Sequence, residues 1–364
     1  MARLGDICTI NPRGKTFQDD FMVSFVAMQN VSEQGTVDAS IIKHYGEVKK
    51  GFTYFQENDV LFAKITPCME NGKGGIATNL ENGVAFGSTE FHVLRPNPNF
   101  MISSWLYYLT SWPEFRKECE KNMTGSAGQK RVPKAFLENY EIQLPDLDEQ
   151  RKIAAVLDKV SSLIAKRRQQ LDKLDFLVKS KFVEMFGDPV SNPRGLRTMP
   201  LGEACYLKAG ITTPADIIHA QSSEYPIPCY GGNGIRGYVE EATQSGSYPI
   251  IGRQGALCGN IQLATGEFHA TEHAVLVTSL IETNVMWLFH LLKLMDLYRF
   301  HTGAAQPGLA VKTLNTVDIP IADIDLQNQF AAFVEQTEKT KTTISRSLQK
   351  LETLKKALMQ KYFK

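Results

Sequence analysis

Two long segments of the chain carry apolar side chains at intervals of three and four residues. The first runs from about Asp148 to Met185, and the second covers residues 325–364. Such spacing places the apolar side chains in a narrow stripe along a helix, here of about 36 residues and roughly 54 Å. One helix cannot bury that stripe, so the pattern predicts two helices paired as an antiparallel coiled coil. Two unrelated surface helices, packed on separate domains, are the alternative. The apolar positions are Ile153, Leu157, Val160, Ile164, Leu171, Leu174 and Val178, and then Phe330, Val334, Ile344, Leu348, Leu351, Leu358 and Tyr362.

The rest of the chain mixes short strand-like runs with turn residues. Val60–Ile65 and His273–Val277 are rich in β-branched and aromatic residues and lie near Asn, Gly and Pro. Ile102–Glu120 and Asn284–Phe300 have helical spacing. The pattern predicts an α+β chain with a mixed α/β domain over residues 1–147, a spacer helix over 148–186, a linker over 187–200, a second mixed domain over 201–324 and a second spacer helix over 325–364.

The two halves of the chain are related by an internal repeat. At an offset of 177 residues the aligned pairs include Val132 with Leu309, Leu137 with Leu314, Ile142 with Ile319, and Gln150 with Gln327. Two copies of one unit, each ending in a long helix, predict a pseudo-two-fold molecule with two related binding faces. Antiparallel helices would place the mixed domains at opposite ends, which suits two half-sites on a duplex whose turn spans about 34 Å.

Composition and charge narrow the class of protein. The apolar share of 43% and charged share of 22% are ordinary for a globular protein, and no apolar stretch reaches the length of a membrane helix. Six scattered cysteines without a Cys-x-x-Cys pair indicate a reduced, cytoplasmic protein. The net charge is +1, but the two long helices carry +7 together, which leaves −6 elsewhere. Binding of nucleic acid by the mixed domains would therefore require basic residues gathered on one face.

Two strings resemble catalytic motifs without the context that the chemistry needs. Gly232–Gly237 fits the dinucleotide pattern Gly-x-Gly-x-x-Gly, but no apolar helix follows it, which favours a glycine-rich loop. His269, Glu272 and His273 fit the His-x-x-Glu-His pattern of zinc hydrolases. That site needs a helix, whereas the surrounding residues favour a strand.

The remaining candidates for catalytic residues also lack the sequence context that catalysis needs. Cys68, Cys229 and Cys258 lack a general base at a recognisable spacing and are expected to be small buried residues. The Asp/Asn-Pro-Pro-Tyr/Phe stretch of amino-methyltransferases does not occur. The sequence therefore predicts a chain without a catalytic site or a metal.

Several strings resemble the specificity subunits of type I restriction-modification systems. Phe62–Gly74 and Pro249–Asn260 are similar to segments of the target-recognition domains of that family. The joints Leu144–Gln150 and Ile319–Gln327 resemble its passage from recognition domain to spacer helix. The resemblance implies two target-recognition domains held apart by two antiparallel helices, which act as a ruler on a split, asymmetric DNA sequence.

The resemblance also implies partners. It predicts a non-catalytic subunit that binds double-stranded DNA, two adenine-N6 methyltransferase subunits, and the endonuclease and translocase subunits. S-adenosylmethionine, ATP and Mg would be bound by those subunits, with no cofactor on this chain.

Residue types that suit base edges and phosphates, on loops that a rigid scaffold holds, predict the DNA contacts. In the first domain they are Lys64, Asn71, Lys73, Ser126, Gln129, Lys130 and Arg131, and in the second Asn233, Arg236, Arg253, Gln254, Asn260, Gln306 and Lys312. Apolar residues at the helix ends, predicted to join a bundle with partner helices, are Phe182, Phe186, Leu358 and Phe363.

Three alternatives stay open at this point. The chain could serve a type IIB-like system, in which one partner polypeptide both methylates and cleaves. From other classes, it could be a metalloenzyme that uses His269, Glu272 and His273, or a coiled-coil scaffold that binds only protein.

Overall fold

The chain divides into two compact units, each of which combines a mixed α/β part with one end of both long helices. The computed structural model describes residues 1–126, 128–303 and 307–364. Unit 1 comprises residues 1–167 and 347–364, and unit 2 comprises residues 168–346. The α+β class and the duplicated plan are as the sequence pattern predicts.

Unit 1 contains two four-stranded sheets and a short strand pair, flanked by helices. Its strands are β1 Ala2–Arg3, β2 Cys8–Ile10, β3 Met22–Val26, β4 Ile42–His44, β5 Thr53–Gln56, β6 Val60–Ala63, β7 Gly74–Ile76, β8 Val84–Gly87, β9 Phe91–Pro96 and β10 Glu141–Ile142. Its helices are α1 Leu4–Ile7, α2 Tyr45–Val48, α3 Ser103–Ser111, α4 Pro113–Lys121, α5 Lys134–Glu138 and the start of α6 Leu147–Phe186. The sheets run β2-β9-β6-β7 and β4-β3-β8-β5, and β1 pairs with β10.

Unit 2 is built around one six-stranded sheet. Its strands are β11 Thr198–Pro200, β12 Cys205–Ala209, β13 Ile227–Gly231, β14 Gly234–Val239, β15 Gln244–Gly252, β16 Ile261–Ala270, β17 Ala274–Ser279 and β18 Asp318–Pro320. Its helices are α7 Leu201–Ala204, α8 Val285–Leu294, α9 Val311–Asn315 and the start of α10 Ile324–Phe363. The sheet order is β12-β17-β15-β16-β13-β14, and β11 pairs with β18. Thr198–Pro200, which lies inside the predicted linker, is therefore a strand.

The long helices begin at aspartate caps and pack through their apolar stripes. Asp146 Oδ1 accepts a hydrogen bond of 2.8 Å from the Glu149 amide at the start of α6. In unit 2 the Phe182 ring lies 5.3 Å from Phe330, and Asp175 pairs with Lys341 at 2.7 Å. From position 175 to position 182 of α6, the partner on α10 changes from position 341 to position 330. The two helices are therefore antiparallel there, as predicted.

The same buried amide anchors a long helix in each unit. Gln150 Oε1 accepts a hydrogen bond from the Ile102 amide at 3.0 Å, and Gln327 Oε1 accepts one from the Asn284 amide at 2.9 Å. Both glutamines are buried, and each donates to the carbonyl of the residue five positions earlier. The alignment of Gln150 with Gln327 is confirmed, and with it the internal repeat.

Two predicted helices are shorter than the sequence suggests. Ile102–Glu120 is split into α3 and α4 because Pro113 keeps Trp112 out of the helical region, at φ −67° and ψ 128°. The Asn284–Phe300 helix ends at Leu294. Asp296 then takes the left-handed conformation, at φ 49°, and a 3-10 turn follows over Leu297–Phe300.

Candidate nucleic-acid interface

The connection between β6 and β7 forms the first loop of interest in unit 1. It begins at Lys64, whose amide donates to the Glu90 carbonyl at 2.9 Å. The Lys64 carbonyl in turn accepts from the Val132 amide at 2.9 Å. The base of the loop is therefore fixed between β9 and the segment that leads into α5, and Lys64 projects from that base as a half-buried side chain.

The connection between β15 and β16 is the corresponding loop of unit 2. The Arg253 amide donates to the His273 carbonyl at 3.1 Å, and the Arg253 carbonyl accepts from the Leu309 amide at 2.8 Å. These two bonds correspond to the two that Lys64 makes with Glu90 and Val132. Since Val132 and Leu309 are also partners in the sequence repeat, Lys64 and Arg253 hold equivalent positions, which the sequence alignment did not show.

A hairpin beside each loop completes the repeated arrangement. In unit 1, Thr124 and Arg131 exchange two backbone hydrogen bonds of 3.0 and 2.8 Å, with Ser126, Gln129 and Lys130 exposed beyond them. In unit 2, Thr302 and Gly308 exchange two of 2.9 Å. The predicted DNA contact at Gln306 lies outside the described residues.

Unit 2 adds a third segment, the turn between β13 and β14. Gly232 and Gly252 pack backbone against backbone, so closely that a Cβ on Gly252 would overlap the Gly232 carbonyl oxygen. This contact brings Asn233 next to the loop, where its Oδ1 accepts from Asn260 Nδ2 at 2.6 Å. Asn233, Arg253 and Asn260 therefore share one surface.

The side chains predicted to contact DNA differ in whether their polar groups already have hydrogen-bond partners. Arg253 and the exposed Gln254 make no side-chain hydrogen bond to any residue in the described ranges. By contrast, Lys73 Nζ donates to the Met28 carbonyl at 3.1 Å. Arg131 pairs with Glu90 through two bonds of 2.9 Å, so its guanidinium holds the hairpin to β9. Asn71, Arg236 and Lys312 are exposed.

Glu90 is the group that sequence reasoning missed in unit 1. Its hydrogen bonds from Arg131 lower its pKa, and the nearby Lys64 charge lowers it further. Burial lowers the pKa of the neighbouring His92, whose ring contacts the Val132 carbonyl. In unit 2, His273 occupies the position that Glu90 has in unit 1. The only signal in the sequence was that both residues directly precede an apolar strand.

The four apolar residues predicted to contact partner helices all pack against other residues of the chain, but to different extents. Phe182 and Phe186 are buried and pack on Phe330. Leu358 and Phe363 are half-buried, and the Phe363 ring lies 5.4 Å from Trp105. Phe182 and Phe186 are therefore core residues of unit 2 and are not available to a partner, whereas partner contacts by Leu358 and Phe363 stay a prediction.

The strings that resembled catalytic motifs have structural roles. Gly232–Gly237 covers a tight turn and the start of β14, so it leads into a strand and not into a helix. His269 lies in β16, as its neighbours predicted, and its Nε2 is 2.8 Å from Thr213 Oγ1. Glu272 and His273 pair at 3.1 Å in the turn that follows. Within the described residues, no group of three or more His, Cys, Asp or Glu is placed to hold a metal ion.

The thiols are also structural. Cys229 and Cys258 are buried, whereas Cys68 is only half-buried. Burial raises the pKa of Cys8 and of Cys205 to about 12. These two lie at equivalent places in the repeat, each at the start of the strand after a short helix.

Comparison with known proteins decides the family. The sequence profile described as "Type I restriction modification DNA specificity domain" matches residues 1–174 and 193–355. The chain belongs to this family. It is 34% identical over 353 residues to the EcoprrI type I restriction enzyme specificity subunit of Escherichia coli, a match that covers 91% of this chain and 84% of that protein.

Further relatives agree with this assignment. The EcoEI specificity subunit of Escherichia coli is 42% identical over 175 residues, which are 47% of this chain and 29% of that protein. The crystal structure of the type I restriction-modification S subunit from M. genitalium has the same fold, with a TM-score of 0.60 at 16% identity over 100% of this chain and 95% of that one. As a type I specificity subunit, this chain is the non-catalytic DNA-recognition component. No helix within the described ranges has the length and apolar character needed to cross a bilayer.

Proposed function

We propose that this specificity subunit binds a bipartite, asymmetric target in double-stranded DNA, one half contacted by each unit. The observation that carries the proposal is the equivalence of Lys64 and Arg253, each fixed by the same backbone hydrogen bonds beside a hairpin. A duplicated scaffold that presents a cation at the same place, within otherwise different loops, suits two related contacts with different sequence preferences.

The second loop presents the stronger candidates for base readout. The Arg253 guanidinium and the Gln254 amide have donors free of other described groups, and arginine and glutamine match guanine and adenine edges respectively. Asn233 and Asn260 lie beside them. In unit 1, Lys64, Asn71 and the exposed tip of the Thr124–Arg131 hairpin take the equivalent role.

We also propose that the subunit recruits two adenine-N6 methyltransferase subunits together with endonuclease and translocase subunits. The surface in unit 2 that suits such a partner lies on α6. Phe176, Leu177 and Val183 are 69%, 45% and 39% exposed there, and large apolar side chains so exposed on one helix are typical of a protein-binding surface. The methyltransferase subunits would bind S-adenosylmethionine, and the endonuclease and translocase subunits would use ATP and Mg.

Mapping N6-methyladenine in the genome of cells that express this chain with its methyltransferase subunit tests the proposal. The expected result is methylation within a two-part motif that has an unread gap. Methylation within one continuous motif, or none that depends on this chain, would contradict it.

A further inference from the structure

Arg116 is a charged residue buried in the core of unit 1. It lies on α4 and is 7% exposed. Its Nη1 donates to the Met69 carbonyl at 2.5 Å and its Nη2 to the Lys73 carbonyl at 3.5 Å. The guanidinium carbon stands 5.0 Å from the centre of the Phe62 ring. The side chain therefore reaches the β6–β7 loop from beneath, on both sides of the exposed Asn71.

Burial of this cation is costly and is not offset by a counter-charge. No carboxylate of the described residues lies within ion-pair distance of Arg116, and its Nε has no hydrogen-bond partner among them. Burial lowers the pKa of Arg116 to about 10. An apolar side chain of similar volume would avoid that cost, since a buried charge frequently adds nothing to the stability of the fold or lowers it.

The loop carbonyls do not need Arg116 to be satisfied. The Met69 carbonyl also accepts from the Gly72 amide at 3.1 Å, and the Lys73 carbonyl accepts from the Ala63 amide at 3.2 Å. The arginine adds a second donor to each. Its effect is therefore to restrict the turn between them rather than to rescue a buried polar group.

We propose that Arg116 is a positioning residue for DNA binding by unit 1, holding the Met69–Lys73 turn so that Asn71 meets the duplex already ordered. The inference rests on the proposed function. Ordering the turn before binding removes an entropic cost from the association, so loss of Arg116 weakens binding without loss of a direct contact.

Unit 2 holds its equivalent loop by different means, which supplies an internal control. Gly259 has a φ of +83°, and a Cβ there would lie 2.6 Å from the Tyr298 amide nitrogen. The Arg253–Asn260 loop thus rests on the 3-10 turn through close backbone packing. Substitution of Arg116 and of Gly259 should therefore affect different halves of the target.

The test uses the chain assembled with its methyltransferase subunits and a panel of DNA duplexes that carry single-base changes in the mapped target. We expect Arg116→Met to lower affinity roughly tenfold and to reduce discrimination in one half of the target only, with thermal stability unchanged or raised. Arg116→Lys, which can reach one carbonyl, should restore part of the affinity. Gly259→Ala should reduce discrimination in the other half.

Phe115→Leu is the matched control, because Phe115 is buried on the same helix and, unlike Arg116, has no side-chain group that can donate to the loop carbonyls. If it lowers affinity as much as Arg116→Met does, Arg116 is merely part of the core and the inference is wrong. Wild-type affinity in Arg116→Met would also overturn it. A wild-type complex that recognises no target would overturn the proposed function, and the inference with it.

Discussion

Lys64 and Arg253 hold the same position in the two units, each donating its amide to the carbonyl of the residue that precedes a buried strand and accepting from the amide of a residue two positions before a short helix. Their surroundings differ, since Lys64 lies near the Glu90–Arg131 pair and the Arg253 backbone lies beside Gly232 and His273. One scaffold therefore presents two different chemical surfaces, which is what a protein that recognises an asymmetric DNA sequence requires.

Lys64→Ala and Arg253→Ala are each expected to weaken DNA binding by the assembled complex. A base contact by Arg253 or by Lys64 should be worth about 1–3 kcal/mol, and loss of either positive charge from the interface should reduce the slope of log affinity against log salt by about one. Fluorescence anisotropy at several salt concentrations measures both. Lys121→Ala, at the exposed end of α4, is the charge-matched control. Unchanged affinity in both variants would remove these residues from the interface.

Assembly should depend on the exposed apolar face of α6 in unit 2. Phe176→Ser with Leu177→Ser is expected to reduce co-elution with the methyltransferase subunit at least severalfold, because it removes apolar area that the partner would bury. The fold should be unaffected, since both side chains are exposed. Tyr206→Ser, a substitution at an equally exposed residue of β12, serves as the control. Equal co-elution of all three proteins would place the partner elsewhere.

Gln150→Leu and Gln327→Leu should destabilise the protein by similar amounts. Each leaves a backbone amide, that of Ile102 or of Asn284, without its acceptor, which costs about 1–3 kcal/mol. Urea denaturation followed by circular dichroism measures the loss. Gln169→Leu, on the exposed face of α6, should change stability by less than about 0.5 kcal/mol. A loss in only one of the two glutamine variants would argue against equivalent anchors.

The Glu90–Arg131 pair predicts a pH-dependent contribution to stability. The Arg131 guanidinium lowers the pKa of Glu90 from its ordinary 4.5, so the pair stabilises the fold above that value and loses its effect as pH falls through the lowered pKa. Glu90→Gln should therefore be less stable than wild type at pH 7, by less than about 1 kcal/mol since the pair is partly exposed.

That difference should shrink below pH 4.5, where the wild-type carboxyl also becomes neutral. Denaturation midpoints measured from pH 3 to pH 7 test this, with Glu120→Gln as the exposed control. A constant difference across the range would mean that Glu90 acts through packing rather than through its charge.

The sequence predicted the architecture well where periodicity extends over many residues. The stripes of α6 and α10 are long enough to identify both helices, and the repeat at Gln150 and Gln327 marks the anchors on which they start. Periodicity alone did not reveal the break at Pro113, because the apolar spacing continues across it.

The interface was predictable only in part, because side-chain availability depends on contacts between residues distant in sequence. Arg131 and Glu90 are 41 positions apart, and Lys73 reaches the carbonyl of Met28 across 45. Lys64 and Arg253 are separated by 189 positions rather than 177, because 68 positions separate Lys64 from Val132 but only 56 separate Arg253 from Leu309. Phe182 and Phe186 seemed available to a partner only because sequence does not show that Phe330 and Trp287 cover them.

The most direct test of the proposal that each unit recognises one half of the target is the affinity of the assembled complex for every single-base variant of that target. The account predicts two blocks of sensitive positions separated by an insensitive gap, with Lys64→Ala reducing discrimination in one block and Arg253→Ala in the other. A single continuous block, or two variants that reduce discrimination in the same block, would contradict it.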